Sequence, residues 1–192
     1  MDVTLLRNPA IFLVDTLFSL YVFAVMLRFL FQWVEADFYN PISQALVALT
    51  HPLLRPLRRL LPAIGRIDTA SIVLMLAVQI LGGYLIFQIQ GVGFTLVYLV
   101  WWAINQILEL LFNIYIFSLV AVALLSWIAP YPRNAATSLL YSLTNPLLKR
   151  ARRLIPAMGG VDLSPLLVFI AIQFLKMLVM PTLDQLAASF NL

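Results

Sequence analysis

The chain has 192 residues, of which 63% are hydrophobic and only 10% are charged, and its net charge is +4. Ordinary soluble domains carry about 25% charged residues, so this composition predicts a membrane protein. The lack of cysteine excludes disulfides, thiolate metal sites and a cysteine nucleophile, and the single histidine, His51, cannot form a metal site alone. We therefore expect no metal site and no cofactor.

The first half of the chain, residues 1–93, contains two apolar runs that are long enough to cross a bilayer. They cover residues 9–34 and 70–88, and a helix needs about 20 apolar residues to cross a ~30 Å hydrocarbon core. The segment between them, residues 42–61, has leucines at helical spacing on one face and arginines on the other. We predict that this amphipathic segment lies flat at the membrane surface.

The second half, residues 94–192, repeats this order. Its predicted elements are a span at 103–128, an amphipathic surface segment at 136–155 and a second span at 165–180. The apolar sequence already begins at Phe94, and a single helix from there to Ile128 would be about 50 Å long, more than a bilayer core requires. We place residues 94–102 at the membrane interface, where their two tryptophans are favoured.

The two halves are copies of each other at an offset of 94 residues. Thr50–Asp68 and Thr144–Asp162 are identical at 11 of 19 positions without a gap. In each copy a polar residue and a proline, His51-Pro52 and Asn145-Pro146, precede the basic residues, and we predict that they cap and open a short helix. The predicted fold class is an all-α integral membrane protein with four transmembrane helices in two parallel repeats, each with a basic interfacial helix between its spans.

Basic residues are concentrated in the two segments between the paired spans. Nine of them lie there and one, Arg7, lies on the other side of the membrane; the nine are Arg55, Arg58, Arg59, Arg66, Arg133, Lys149, Arg150, Arg152 and Arg153. The positive-inside rule then places the basic segments in the cytoplasm and both termini outside. Anionic phospholipid attracts each such cation by about 1 kcal/mol, whereas nucleic acid is an unsuitable partner because the bilayer would cover these residues.

Polar residues inside the predicted spans form a second set of candidates. Asp15 and Glu109 are equivalent in the two copies, as are Gln79 and Gln173. Two acids at equivalent positions predict either a paired site for protons or cations, or hydrated side chains near the outer interface. Lys176 lies deeper and is expected to pair with Glu109 or Asp15, while Arg28 is expected to snorkel to the cytoplasmic surface.

The sequence contains no phosphate-binding glycine loop, serine nucleophile elbow or His-Glu-x-x-His pattern, so we do not expect an enzyme. Instead, two units of span, basic segment, glycine turn and span resemble the YggT family of bacterial and plastid membrane proteins. The motif of the second copy carries the resemblance most clearly, through Asn145, Pro146, Pro156, Gly159, Gly160, Asp162, Ser164 and Pro165. The first copy departs from it at His51, Arg66 and 69–71.

The resemblance implies a multi-pass protein of the bacterial inner membrane with a role in envelope organisation or osmotic protection. We expect a non-enzymatic scaffold or assembly factor whose partners are anionic phospholipid, other membrane proteins and further copies of this chain. The alternative is an oligomeric ion-handling protein that uses the intramembrane acids. Four spans leave little room for a pore in one chain, so such a path would need several subunits.

Overall fold

The computed structural model describes residues 3–128, 134–154 and 162–190, and in these ranges the protein consists of six α-helices without a β-strand. The helices are α1 (Val3–Trp33), α2 (Pro41–Leu60), α3 (Thr69–Gln90), α4 (Leu96–Ile128), α5 (Ala135–Ala151) and α6 (Ser164–Ser189). Four of them, α1, α3, α4 and α6, are long and apolar enough to cross a membrane. The prediction of a multi-pass, all-helical protein is confirmed at this level.

Helix α4 begins at Leu96, seven residues before the predicted start of the third span at Ala103. Thr95 starts the helix, because its hydroxyl accepts a hydrogen bond from the Tyr98 amide at 3.1 Å. The first turns then pack on α3: Leu99 is 2% exposed, and the Trp102 ring centroid lies 5.3 Å from that of Phe87. This packing extends the helix into the segment that the sequence pattern assigned to the interface.

Helix α6 continues through Pro181 to Ser189, nine residues beyond the predicted end at Met180. A proline inside a helix removes one backbone hydrogen bond. Contacts with α4 stabilise the extra turns, because Asn105 donates a hydrogen bond to Asp184 and the Trp101 and Phe190 rings stack at 6.1 Å. The predicted boundary was wrong because this packing outweighs the local effect of the proline.

The predicted caps of the two amphipathic helices are also wrong. His51-Pro52 and Asn145-Pro146 lie inside α2 and α5 and are exposed, where water can bond the carbonyl groups that the prolines leave unpaired. The caps are Asn40, which accepts from the Ile42 amide at 2.9 Å, and Asn134, which forms a capping box with Thr137. Each helix therefore begins about ten residues earlier than its proline.

Equivalent residues of the two copies form equivalent parts of the core. Val25 in α1 and Leu119 in α4 are both 0% exposed, and so are Leu54 in α2 and Leu148 in α5. Helix α1 packs on α3, α4 packs on α6, and α3 and α4 join the two halves. The short helices α2 and α5 contact each other at the end of the bundle away from the termini, where Asn40 Nδ2 donates to the Ala135 carbonyl at 2.8 Å.

Candidate functional site

The end of the bundle formed by residues 41–67 and 134–154 carries most of the basic side chains. Five of these are exposed and form no ion pair within the described residues: Arg55, Arg59, Lys149, Arg150 and Arg153. Large apolar side chains are exposed beside them, with Leu60 at 78% and Leu154 at 77% exposure. This surface therefore presents cations and leucines together.

The other two predicted lipid-binding arginines, Arg58 and Arg152, have a structural role. Arg58 Nη2 lies 2.5 Å from Asp68 Oδ2, and Asp68 is 2% exposed and also accepts from the Ser71 hydroxyl at 2.7 Å. This bridge ties the last turn of α2 to the first turn of α3, across the turn that connects them.

The second copy contains the same bridge. Arg152 donates to Asp162 Oδ2 from Nε at 3.0 Å and from Nη2 at 2.8 Å. The Ser164 amide donates to Asp162 Oδ1 at 3.0 Å, so Asp162 also orders the first turn of α6. Arg152 and Asp162 are the equivalents of Arg58 and Asp68 at the offset of 94 residues, and the two bridges are thus one feature repeated.

Only part of the predicted turn motif falls within the described residues. Ser164 and Pro165 are buried in the first turn of α6, which agrees with their predicted place at the start of a span. Pro156, Gly159 and Gly160 lie outside the residues that the structure describes.

Both bridging carboxyl groups lie just outside the spans, and their environment favours the charged form. Burial alone would raise the pKa of Asp68, but hydrogen bonds from Arg58 and Ser71 and the charge of Arg58 hold that pKa below its ordinary value. The pKa of Asp162 is lowered in the same way, against the effect of burial, by Arg152 and Ser164. Each ionised carboxylate therefore stabilises the fold, and its contribution is lost as the pH falls through the folded-state pKa.

The intramembrane polar residues meet in a cavity of about 230 Å³ between α1, α3 and α4. Asp15, Gln79 and Glu109 line it, together with Ser19, Gln106 and Asn113. Gln79 is 8% exposed, and its amide has no hydrogen-bond partner in the described part of the chain. Gln173, its equivalent in the second copy, is half-buried and does not line the cavity.

Lys176 distinguishes the two acids. Its Nζ lies 3.0 Å from Glu109 Oε1 and donates to Asn113 Oδ1 at 2.7 Å. Of the two predicted partners, Glu109 and Asp15, Lys176 therefore pairs with Glu109. Asp15 accepts from Ser19 at 3.4 Å and has no cationic partner among the described residues. The cavity thus contains one neutralised acid and one free acid.

Sequence reasoning missed the position of Arg28. The side chain does not snorkel: it is 8% exposed, and its Nη1 donates to Thr50 Oγ1 at 2.6 Å, across to α2. Hydrophobic periodicity could not show which face of α1 would meet α2. The sequence did contain one indication that Arg28 is special, because its equivalent in the second copy is the apolar Val122.

These features define a multi-pass helical membrane protein with a basic end and a polar intramembrane cavity. The CCB3/YggT family model matches residues 8–89 and again residues 101–183. The chain belongs to the CCB3/YggT family, with two tandem copies of the family unit, and the family inferred from the sequence is confirmed.

Bacterial relatives match nearly the whole chain. An uncharacterised protein of Pseudomonas aeruginosa is 42% identical over 180 residues, which cover 93% of this chain and 91% of the relative. The uncharacterised protein YggT of Escherichia coli K12 is 36% identical over 171 residues, or 88% of each chain. An uncharacterised protein of Vibrio alginolyticus is 36% identical over 174 residues, or 89% and 93%. No solved structure matches this chain.

The Arg58–Asp68 bridge gives a stability prediction. Asp68→Asn should lower the free energy of unfolding at neutral pH by about 1.5–3 kcal/mol, because it removes hydrogen bonds between charged groups at a buried site. The extra stability of the wild type should disappear as the pH falls below the unfolded-state pKa of aspartate, about 3.9. The stability of the variant should therefore depend less on pH. Thermal unfolding in detergent between neutral and acid pH measures both effects.

Asp162→Asn is the matched comparison in the second copy. Its bridge is more exposed, with side-chain exposures of 44% for Arg152 and 21% for Asp162 against 35% and 2% in the first copy, so its effect should be smaller. Wild-type stability and pH dependence in Asp68→Asn would contradict this role for the bridge.

Proposed function

We propose that this protein is a non-enzymatic scaffold or assembly factor of the bacterial inner membrane that docks on anionic phospholipid and on partner proteins through the basic faces of α2 and α5. The observation that carries the proposal is the set of five exposed basic side chains without an ion pair among the described residues, next to exposed leucines. Each cation near an anionic bilayer surface contributes about 1 kcal/mol, and the leucines add apolar contact with the acyl boundary.

The proposal places α2 and α5 on the cytoplasmic surface and both termini outside. The positive-inside rule supports this orientation. The Asn40–Ala135 contact supports placing both helices on one side, because it brings the starts of α2 and α5 together at one end of the bundle.

A role in envelope organisation or osmotic protection is the physiological part of the proposal. It rests on the likeness of the second-copy motif to the family, and it fits a protein whose described surface concentrates basic and apolar groups at one end.

The lipid part is tested by neutralising α5 without breaking its bridge. Lys149→Gln, Arg150→Gln and Arg153→Gln together keep Arg152 paired with Asp162. A fluorophore on Leu154→Cys in nanodiscs should report a deeper, less hydrated position with phosphatidylglycerol than with phosphatidylcholine. We expect the triple variant to lose most of this difference.

The control replaces the same residues with the other basic type: Lys149→Arg, Arg150→Lys and Arg153→Lys. This control should keep the lipid dependence of the fluorescence. In cells it should also keep the wild-type crosslinked partners and wild-type survival after osmotic downshift, whereas the neutral variant should lose the partners and the survival. A neutral variant with wild-type lipid response, partners and survival would overturn the proposed function.

The polar cavity supports a second candidate function, ion handling by an oligomer of this chain. The specific observation is that the free acid Asp15 and Gln79, whose amide has no hydrogen-bond partner among the described residues, line the same cavity as Glu109. Oxygen ligands of this type suit hard monovalent cations and protons.

This candidate is separated from the first by flux measurements in proteoliposomes. Asp15→Asn should abolish cation or proton flux, because it removes the only acid of the pair that lacks a cationic partner among the described residues. Ser19→Ala, a neutral change in the same cavity, is the control and should retain most of the flux. Absence of flux in the wild type, or equal flux in Asp15→Asn, would exclude ion handling through this cavity.

A further inference from the structure

A cavity of about 440 Å³ lies where the last turns of α1 meet α2. Arg28, Arg58 and Ser43 are the polar residues of interest in its lining, and its apolar walls include Phe31 and Leu46. Its volume is in the range of small-molecule sites, which combine apolar walls with a few placed polar groups.

Arg28 is a buried cation without a carboxylate partner. It is 8% exposed, and only its Nη1 is used, in hydrogen bonds to Thr50 Oγ1 at 2.6 Å and to the Val47 carbonyl at 3.4 Å. Nε and Nη2 donate to nothing within the described ranges. Buried charges in proteins are usually paired, because an unpaired buried ion is costly, so this position favours an anion from outside the chain.

The other charges at the cavity neutralise each other. Arg58 is paired with Asp68, and Glu35, at the rim, is paired with Arg66 at 3.0 Å. The cavity therefore has one uncompensated positive charge, that of Arg28, which matches the single negative charge of a phosphodiester.

Ser43 is the second group that points to a ligand. It is 7% exposed, and its hydroxyl oxygen is buried without a hydrogen-bond partner. Buried polar groups without partners are uncommon in folded proteins, and a phosphate oxygen would accept the proton of this hydroxyl.

A second, apolar groove of about 500 Å³ lies beside the cavity, between α1, α4 and α5. Phe31 lines both, and Phe23, Leu27 and Phe117 are among the walls of the groove. An acyl chain would fit such a groove, whereas a free phosphate ion would leave it unused.

We propose that this cavity binds the headgroup phosphodiester of one anionic glycerophospholipid, with Arg28 and Ser43 as donors and an acyl chain in the groove beyond Phe31. The assignment rests on the proposed function in placing α2 at the inner membrane surface. Basic pockets beside transmembrane helices are known to hold anionic headgroups. The second copy has Val122 and Thr137 at the positions of Arg28 and Ser43, so each chain should bind one lipid in this way.

Native mass spectrometry tests the site by counting the lipids bound to each chain. The full chain is titrated with phosphatidylglycerol and then released from detergent. One lipid per wild-type chain should remain bound at low concentration, and phosphatidylcholine should bind more weakly. Arg28→Gln should weaken this binding about a hundredfold, and Ser43→Ala about fivefold. Ser138→Ala, which removes an exposed serine hydroxyl of α5 outside this cavity, is the matched control and should keep the tightly bound lipid.

If Arg28→Gln does not fold, Ser43→Ala alone tests the proposal. The Ser43 hydroxyl has no hydrogen-bond partner among the described residues, so its removal should leave the unliganded fold intact. Wild-type lipid binding in Ser43→Ala and in any folded Arg28→Gln would overturn the proposal. So would equal competition by millimolar inorganic phosphate, which would identify a free-anion site. Failure of the scaffold function is seen separately, in the α5 variants, which do not touch this cavity.

Discussion

The Arg58–Asp68 and Arg152–Asp162 bridges determine how each basic helix joins the next span. In each copy an arginine at the end of the short helix meets an aspartate ten residues later, at the first turn of a long helix, where the helix dipole also favours a negative charge. The bridge uses one cation per copy and leaves the neighbouring cations free of ion pairs within the described residues. In the first copy the same interaction therefore holds α2 and α3 together across their turn, while the neighbouring basic side chains remain exposed.

The differences between the two copies are as informative as their likeness. Arg28 in the first copy has the apolar Val122 as its equivalent, and Lys176 in the second copy has Gly82. The first difference creates a cationic cavity at the end of the bundle that carries α2 and α5, and the second neutralises Glu109 nearer the end that carries the termini. Duplication accounts for the shared fold, while the unpaired changes give the two halves different polar groups.

Composition and hydrophobic run length were enough to predict four spans and an all-helical membrane protein, and the second-copy motif was enough to recognise the family. Helix boundaries and caps were less predictable, because a proline after a polar residue has the same local pattern at a helix start as inside an exposed helix. The Asn134–Thr137 capping box was readable in the sequence, but the extension of α6 past Pro181 depends on contacts with α4. Burial of Arg28 could not be predicted, since it depends on the packing of α2 against one face of α1.

The proposed function requires both basic helices to lie on the same, cytoplasmic side of the membrane. Because the chain contains no cysteine, single cysteines at Arg59, Arg153 and Val92 can be introduced without changing any other residue. Labelling them with a membrane-impermeant maleimide in intact spheroplasts and in inverted vesicles tests the claim directly. We expect positions 59 and 153 to react only in inverted vesicles and position 92, between α3 and α4, only in spheroplasts. Reaction of position 59 or position 153 in intact spheroplasts would contradict this placement.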